Sequence, residues 1–270
     1  GTNIWVANSA DNTVSKIDPT TNTVTATIST GVGSGPWDFA YDGTSVWVTQ
    51  QNGSVSKINP TTNTVTATIS VSTGTFGIAF DGTNIWVANS DDNTVSKINP
   101  TTNTVTATVG VGSVPSALAF DGTNLWVTNL ASESVSKIDP TTNTVTATVS
   151  VGPVGSGPRD IAFDGAILWV ANSGSSRIVQ IDPATNAVIR NILYGGSVPA
   201  SLTFDGTNIW IAEKVTNRVS AITASSISLY LDKIEVGTGP EGTAFDGVNL
   251  WVTNRNSGTV SKVRIEPSFP

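Results

Sequence analysis

Residues 76–109 read FGIAFDGTNIWVANSDDNTVSKINPTTNTVTATV, and this stretch decides the fold. It breaks into four short runs: the GIAFD type from Phe76 to Asp81, the tryptophan run from Ile85 to Asn89, Thr94 to Ile98, and Val105 to Val109. Each is rich in Val, Ile, Thr, Phe or Trp and each is bounded by Asp, Gly, Asn or Pro, the pattern of short strands between tight turns. Asp81-Gly82 offers a side-chain acceptor followed by a residue that accepts positive φ, and Asn99-Pro100 marks a second turn. Helical periodicity is absent throughout.

The same unit returns along the chain. Its tryptophan recurs at Trp5, Trp47, Trp86, Trp126, Trp169, Trp210 and Trp251, at spacings of 42, 39, 40, 43, 41 and 41. A fixed period of this size marks stacked supersecondary units. A four-stranded sheet that is apolar on both faces needs a neighbour on each side, and a ring of such sheets supplies them. Each tryptophan can bury on the order of 200 Å², about 5 kcal/mol before entropy is counted, so the seven read as cement between sheets.

Runs of the innermost type begin near Trp37, Phe76, Ser116, Arg159, Ala200 and Glu241, which leaves the first unit without an inner strand. The last unit ends on a third strand, Thr259 to Glu266, without an outer one, for a total of 26 strands. The expectation is therefore all-β: one seven-bladed β-propeller of four-stranded antiparallel blades over residues 1–266, terminal blades incomplete, with 267–270 as a tail or linker. The seam between the first and last blades is expected to be the weakest, and its exposed edges could recruit another chain segment.

Composition narrows the function. Net charge is −7, with 20 acidic against 13 basic side chains, a balance that repels phosphate backbones and argues against nucleic acid as a partner. The sequence contains no Cys, His or Met, which removes disulfides, thiolate metal sites, cysteine nucleophiles and the side chain best suited to proton transfer near neutrality. No apolar run reaches 18 residues and the N-terminus lacks a signal-peptide pattern, so membrane insertion is not expected. Gly1 falls in mid-repeat, which suggests a segment of a longer chain with adjoining domains. Abundant Thr, Asn, Ser and Gly fit an extracellular, cell-surface or periplasmic location.

The wording ANSADNTVSKIDPTTNTVTATI, followed by a glycine-rich step and GxAFDG, resembles the YVTN family of propeller repeats, with the family's tetrapeptide present here as WVAN or WVTN. The resemblance spans residues 1–266 and implies a seven-bladed ring typical of bacterial and archaeal surface or secreted proteins. The repeats are also similar to those of streptogramin lyases, whose activity implies a catalytic histidine with acidic and metal-binding partners near the channel. With no histidine here, no lyase residue has a counterpart.

Comparison among the copies separates packing from function, since a residue demanded by packing should recur in every blade. The FDGTN and DPTTNT turns on one face are nearly constant in the first four copies, and the opposite face varies. At the inner-strand entrances stand Trp37 with Asp38, Phe76 with Gly77, Ser116 with Ala117, Arg159 with Asp160, Ala200 with Ser201, and Glu241 with Gly242. Of these, Trp37, Asp38, Phe76, Arg159, Asp160 and Glu241 are candidate ligand-binding residues: an aromatic, an arginine and three carboxylates at a concave mouth suit a polar small molecule or a sugar. Charges also gather at wet channel mouths for solubility alone.

Farther out, Gln51, Glu213, Lys214 and Arg255 are candidate partner-binding residues, beside Gln50, Asp91, Asp92 and Glu133; all read equally as solvated hairpin tips. Asp38, Asp160 and Glu241 belong to the second, fifth and seventh blades, and a metal ion needs several oxygens at short range. Neither a metal site nor a cofactor nor a catalytic residue is expected. The repeated Lys16, Lys57, Lys97, Lys137 and Lys262 are expected to lay their methylenes along a neighbouring sheet while the ammonium reaches an aspartate or water. From Arg177 to Glu235 the copies drift, gaining Arg190, Tyr194, Arg218, Tyr230, Asp232 and Lys233. The leading reading is a non-enzymatic recognition or scaffold module that binds protein or glycan on the variable face. Its alternatives are a lectin-like glycan binder and a metal-dependent lyase or hydrolase.

Overall fold

Six tryptophans are fastened by their own turns. In the third blade Asp81 accepts the amide N–H groups of Thr83 (2.8 Å) and Asn84 (2.6 Å) on Oδ1 while Gly82 takes φ +92°. Its second oxygen accepts the indole N–H of Trp86 at 2.6 Å. The same clasp joins Asp42 to Trp47, Asp121 to Trp126, Asp164 to Trp169, Asp205 to Trp210 and Asp246 to Trp251, at 2.6–2.7 Å. A buried indole N–H needs an acceptor, so the turn aspartate serves both the hairpin and the core. Trp5, whose blade has no inner strand among the described residues, is half-buried.

These units assemble as expected. The computed structural model describes residues 3–193, 195, 197–225 and 233–265. Among them, 26 strands form seven antiparallel sheets in chain order, five of four strands and two of three: a seven-bladed β-propeller. The three-stranded sheets are the first, Ile4–Asn8, Thr13–Asp18 and Thr23–Ser29, and the last, Pro240–Phe245, Asn249–Asn254 and Thr259–Arg264. In the third blade the strands are Thr75–Phe80, Ile85–Asn89, Thr94–Asn99 and Thr104–Gly110, within a residue or so of the sequence expectation. Asp81 falls outside its strand because its carboxylate caps the turn. Gly1, Tyr194, Tyr230, Asp232 and the tail 267–270 lie outside the described residues.

The chain divides into two compact units, one over Asn3–Val154 with four blades and one from Gly155 onward with three. Within each, inner strands of neighbouring blades pack against one another while outer strands diverge. In the four-blade unit, Trp47 packs on Ile78, Ile85, Val87 and Ile98 of the next blade, and Trp86 on Leu125, Val127 and Ile138. In the three-blade unit, Trp169 meets Leu202, Ile209 and Ile211, and Trp210 meets Leu250, Val252 and Val263. These four indoles thus face the following blade, as cement between sheets requires.

The lysines correct the sequence reading. The ammonium of Lys57 sits 5.0 Å from the ring centre of Trp47 in its own blade and donates to the carbonyl of Pro100 in the next at 2.7 Å. Lys16 reaches Pro60 (2.6 Å) and Asn63 (3.1 Å), and Lys97 reaches Pro140 (2.7 Å) and Asn143 (3.1 Å). The acceptors are a prolyl carbonyl and an asparagine rather than an aspartate. The cause is the DPTTNT turn, where Asn63 and Asn103 take positive φ (57° and 56°) and its aspartate or asparagine is already occupied by backbone amides.

Candidate functional site

The variable face is built from two sets of loops held together by backbone bonds. In the six blades with an inner strand, the residue after the tryptophan strand donates its amide to the loop entering that blade: Gln51 to Gly35, Ser90 to Gly74, Leu130 to Val114, Ser173 to Gly157, Lys214 to Val198 and Arg255 to Gly239, at 2.8–3.1 Å. Side chains at these positions and at the inner-strand entrances therefore share one end of each blade.

In the four-blade unit, Trp37 and Phe76 are half-buried and meet edge to face, ring centres 5.5 Å apart at 87°. Asp38 is committed to the backbone: Oδ1 accepts the N–H of Phe39 (2.8 Å) and Oδ2 that of Ile78 in the next inner strand (3.2 Å). Gly77 occupies the corresponding place in the third blade, and a Cβ there would stand 2.6 Å from the Ser116 carbonyl oxygen and 2.7 Å from the Ala117 Cα. That position faces the neighbouring blade. Gln51 is exposed, whereas Gln50 is buried and donates to the Thr30 carbonyl (3.1 Å) and Ser56 Oγ (2.7 Å).

In the three-blade unit, Asp160 repeats the role of Asp38, accepting from Ile161 (2.8 Å) and from Leu202 of the next blade (2.7 Å). Burial pushes its carboxyl above the ordinary carboxylate value despite these amides and the nearby charge of Arg159. Two of the three carboxylates expected at the mouth are thus braces between inner strands.

The third, Glu241, gathers cations. Its Oε1 accepts from Arg159 Nη2 at 2.7 Å and Lys214 Nζ at 2.8 Å, and Oε2 from Arg255 Nη1 at 3.3 Å. The Glu241 side chain is 12% exposed, those of Arg159, Lys214 and Arg255 31%, 32% and 56%. Burial alone would raise the carboxyl; the Lys214 hydrogen bond and the charges of Arg159, Lys214 and Arg255 outweigh it and hold Glu241 below the ordinary range. The adjoining inner strands are tied by hydroxyls, Ser201 to Thr243 at 2.9 Å and Thr243 to Thr203 at 2.7 Å, and Ser201 is buried.

Four sequence candidates from three blades thus meet in one cluster. Lys214 and Arg255, read from sequence as outlying, belong with Arg159 and Glu241; the signal was that the two cations hold the same place in consecutive repeats, 41 residues apart. Glu213 does not join them. It is 3% exposed and turns into its own blade, accepting from Ser220 and Thr216, at the position filled by a buried asparagine in the third, fourth and fifth blades. Neither Gln50 nor Glu213 is a solvated tip. Among the described residues, no three His, Cys, Asp or Glu side chains gather as a metal-ligand set.

No family model and no curated protein matches the sequence. Solved structures match its fold. A hydrazine synthase from Kuenenia stuttgartiensis superposes with a TM-score of 0.85 at 19% identity, covering 98% of this chain and 93% of that one. A catalytically inactive virginiamycin B lyase from Staphylococcus aureus with quinupristin gives 0.83 at 17%, covering 98% and 92%. A chain of a mitotic checkpoint complex gives 0.85 at 17%, covering 97% and 84%. Identities this low, shared across proteins of such different kinds, carry the fold alone.

Proposed function

We propose that this chain is a non-enzymatic, exported or cell-surface propeller that acts as a rigid recognition or scaffold module through its variable face. One observation carries the reading: residues that recur in the blades are consumed by packing, while the cluster of Arg159, Lys214, Glu241 and Arg255 is built from residues that depart from the repeat. The resemblance to YVTN repeats supports the exported location. A lyase role of the kind named for the virginiamycin B lyase has no histidine to draw on.

The test is an array of glycans and surface proteins probed with three forms. These are wild type, a variable-face variant (Trp37→Ala, Gln51→Ala, Arg255→Ala) and a constant-face variant (Thr61→Ala, Thr101→Ala, Thr141→Ala). Binding by the wild type and the constant-face form, lost in the variable-face form, is expected. Binding lost only in the constant-face form, or a glycan array and protein array both silent for the wild type, would overturn the proposal. For location, an antibody to the chain should label intact cells of the source organism, and signal only after lysis would contradict export.

A further inference from the structure

We infer that the open inner edge of the first blade, the strand Ile4–Asn8, is a docking edge for an extended segment of a partner chain ending in Ala-Phe-Asp, whose aspartate takes the indole N–H of Trp5. The inference stands apart from the variable-face reading and rests on different residues.

The six other blades show what such an edge holds. Each pairs an inner strand antiparallel to its tryptophan strand; in the fourth, Phe120 lies opposite Leu125, Ala119 opposite Trp126 and Leu118 opposite Val127. The aspartate that follows the inner strand accepts the indole N–H at 2.6–2.7 Å in all six. Ile4, Trp5 and Val6 hold the places of Leu125, Trp126 and Val127 in the repeat. The same alignment sets phenylalanine opposite Ile4, alanine opposite Trp5 and a leucine or isoleucine opposite Val6.

The side chains of the first blade register the difference. Trp5 is half-buried and its indole N–H meets no acceptor among the described residues, whereas Trp47, Trp86 and Trp126 are fully buried. A buried indole N–H takes an acceptor, and the partner's aspartate supplies it. Trp5 packs with Val14, Val46, Val48 and Ile58, a cluster without the inner-strand alanine that Ala40, Ala79 and Ala162 bring to Trp47, Trp86 and Trp169.

The backbone of this edge is suited to pairing. In the fourth blade Asn124 accepts from Asp121 and Leu130 donates to Val114, both on the inner side. Because successive residues alternate sides, Trp126 and Thr128 face the same way, and in the first blade Trp5 and Ala7 turn their N–H and C=O groups to the open edge. The strand IWVAN carries neither charge nor proline, the devices that blunt an exposed edge. The open outer edge of the last blade, TVSKVR, carries exposed Lys262 and Arg264 by contrast. Main-chain pairing then supplies affinity, and the Trp5–aspartate bond selects the segment. A second copy offers no spare strand of this kind among its described residues, since all six inner strands are paired within their own blades.

Calorimetry with an N-acetylated, C-amidated peptide copying Pro115–Asp121, PSALAFD, tests the inference, with nitrogen-15 spectra following the indole N–H signals. Saturable one-to-one binding with Kd on the order of 10–100 µM is expected. Of the seven repeat tryptophans, Trp5 alone should shift, downfield as its N–H meets a carboxylate. The peptide bearing Asp121→Asn should bind at least about tenfold more weakly, and a scrambled peptide should not bind. In the protein, Trp5→Phe should cost PSALAFD about tenfold and erase its advantage over the Asp121→Asn peptide. Ala7→Pro, which removes an edge N–H away from the indole, should weaken both peptides. Should Ala7→Pro melt early by circular dichroism, Trp5→Phe carries the test.

No saturable binding, equal affinity of the two peptides for the wild type, or full affinity in Trp5→Phe overturns the inference. A wild-type dimer in sedimentation that Ala7→Pro dissolves and the peptide does not would give the edge to a second copy and overturn it as well.

Discussion

The aspartate that follows each inner strand carries two duties that a neutral amide cannot combine. In the fourth blade, Asp121 receives Thr123 and Asn124 on one oxygen and the indole of Trp126 on the other. Asp121→Asn leaves an amide N–H facing either an indole N–H or a backbone N–H, so the expected loss is about 1–3 kcal/mol, read from the urea midpoint. The same clasp sets an acid limit. In the seventh blade burial would raise the Asp246 carboxyl, but the bonds from Trp251, Asn249 and Val248 bring it down to about 2. A depressed folded pKa contributes stability that is present above the ordinary carboxylate value near 4 and lost as pH falls toward about 2. Unfolding free energy measured across that window should fall for the wild type and fall less steeply for Asp246→Asn.

At the scale of the strand and its neighbours, close approach decides which substitutions are tolerated. Gly77→Ala drives a Cβ into backbone atoms of the next inner strand, Ser116 O at 2.6 Å and Ala117 Cα at 2.7 Å. Gly82→Ala meets open space and bears only the strain of φ +92°. The expected order in urea denaturation is about 3 kcal/mol lost for Gly77→Ala and about 1 for Gly82→Ala. Lys97→Met should cost about 1 kcal/mol by removing the bonds to Pro140 and Asn143 and the contact with Trp86, leaving a packed aliphatic stem.

Strands and turns were legible because each carries its own signal, the alternation in IWVAN or the Asp-Gly pair. Partners across blades were not. The acceptor for Lys97 is a carbonyl, which has no sequence signature, and Gln50 and Glu213 look like loop tips because a polar residue at a strand end gives no sign of facing inward.

Across the whole molecule, the repeat and its departures divide the work. Residues present in nearly every copy go into clasps, lysine contacts and turns. All six arginines, by contrast, lie after residue 155, three of them in the drifting stretch from Arg177 to Glu235. Of the candidate site, the charged residues were legible as departures; their convergence on Glu241 was not, because it depends on three blades and two loop types meeting at one end. Nor could sequence show that Asp38 and Asp160 are spent as braces, since an aspartate at a strand entrance looks the same whether it faces a ligand or the next blade.

The central claim, that repeated residues pack while the solvent-facing charged departures around Glu241 recognise, is tested most directly by following side-chain N–H signals by nuclear magnetic resonance while a glycan or protein captured on the arrays is titrated in. Saturable movement of the Arg159 and Arg255 signals, with the six clasped indole signals unmoved, is the predicted result. Silent arginines, or indoles that move together with them, would contradict it.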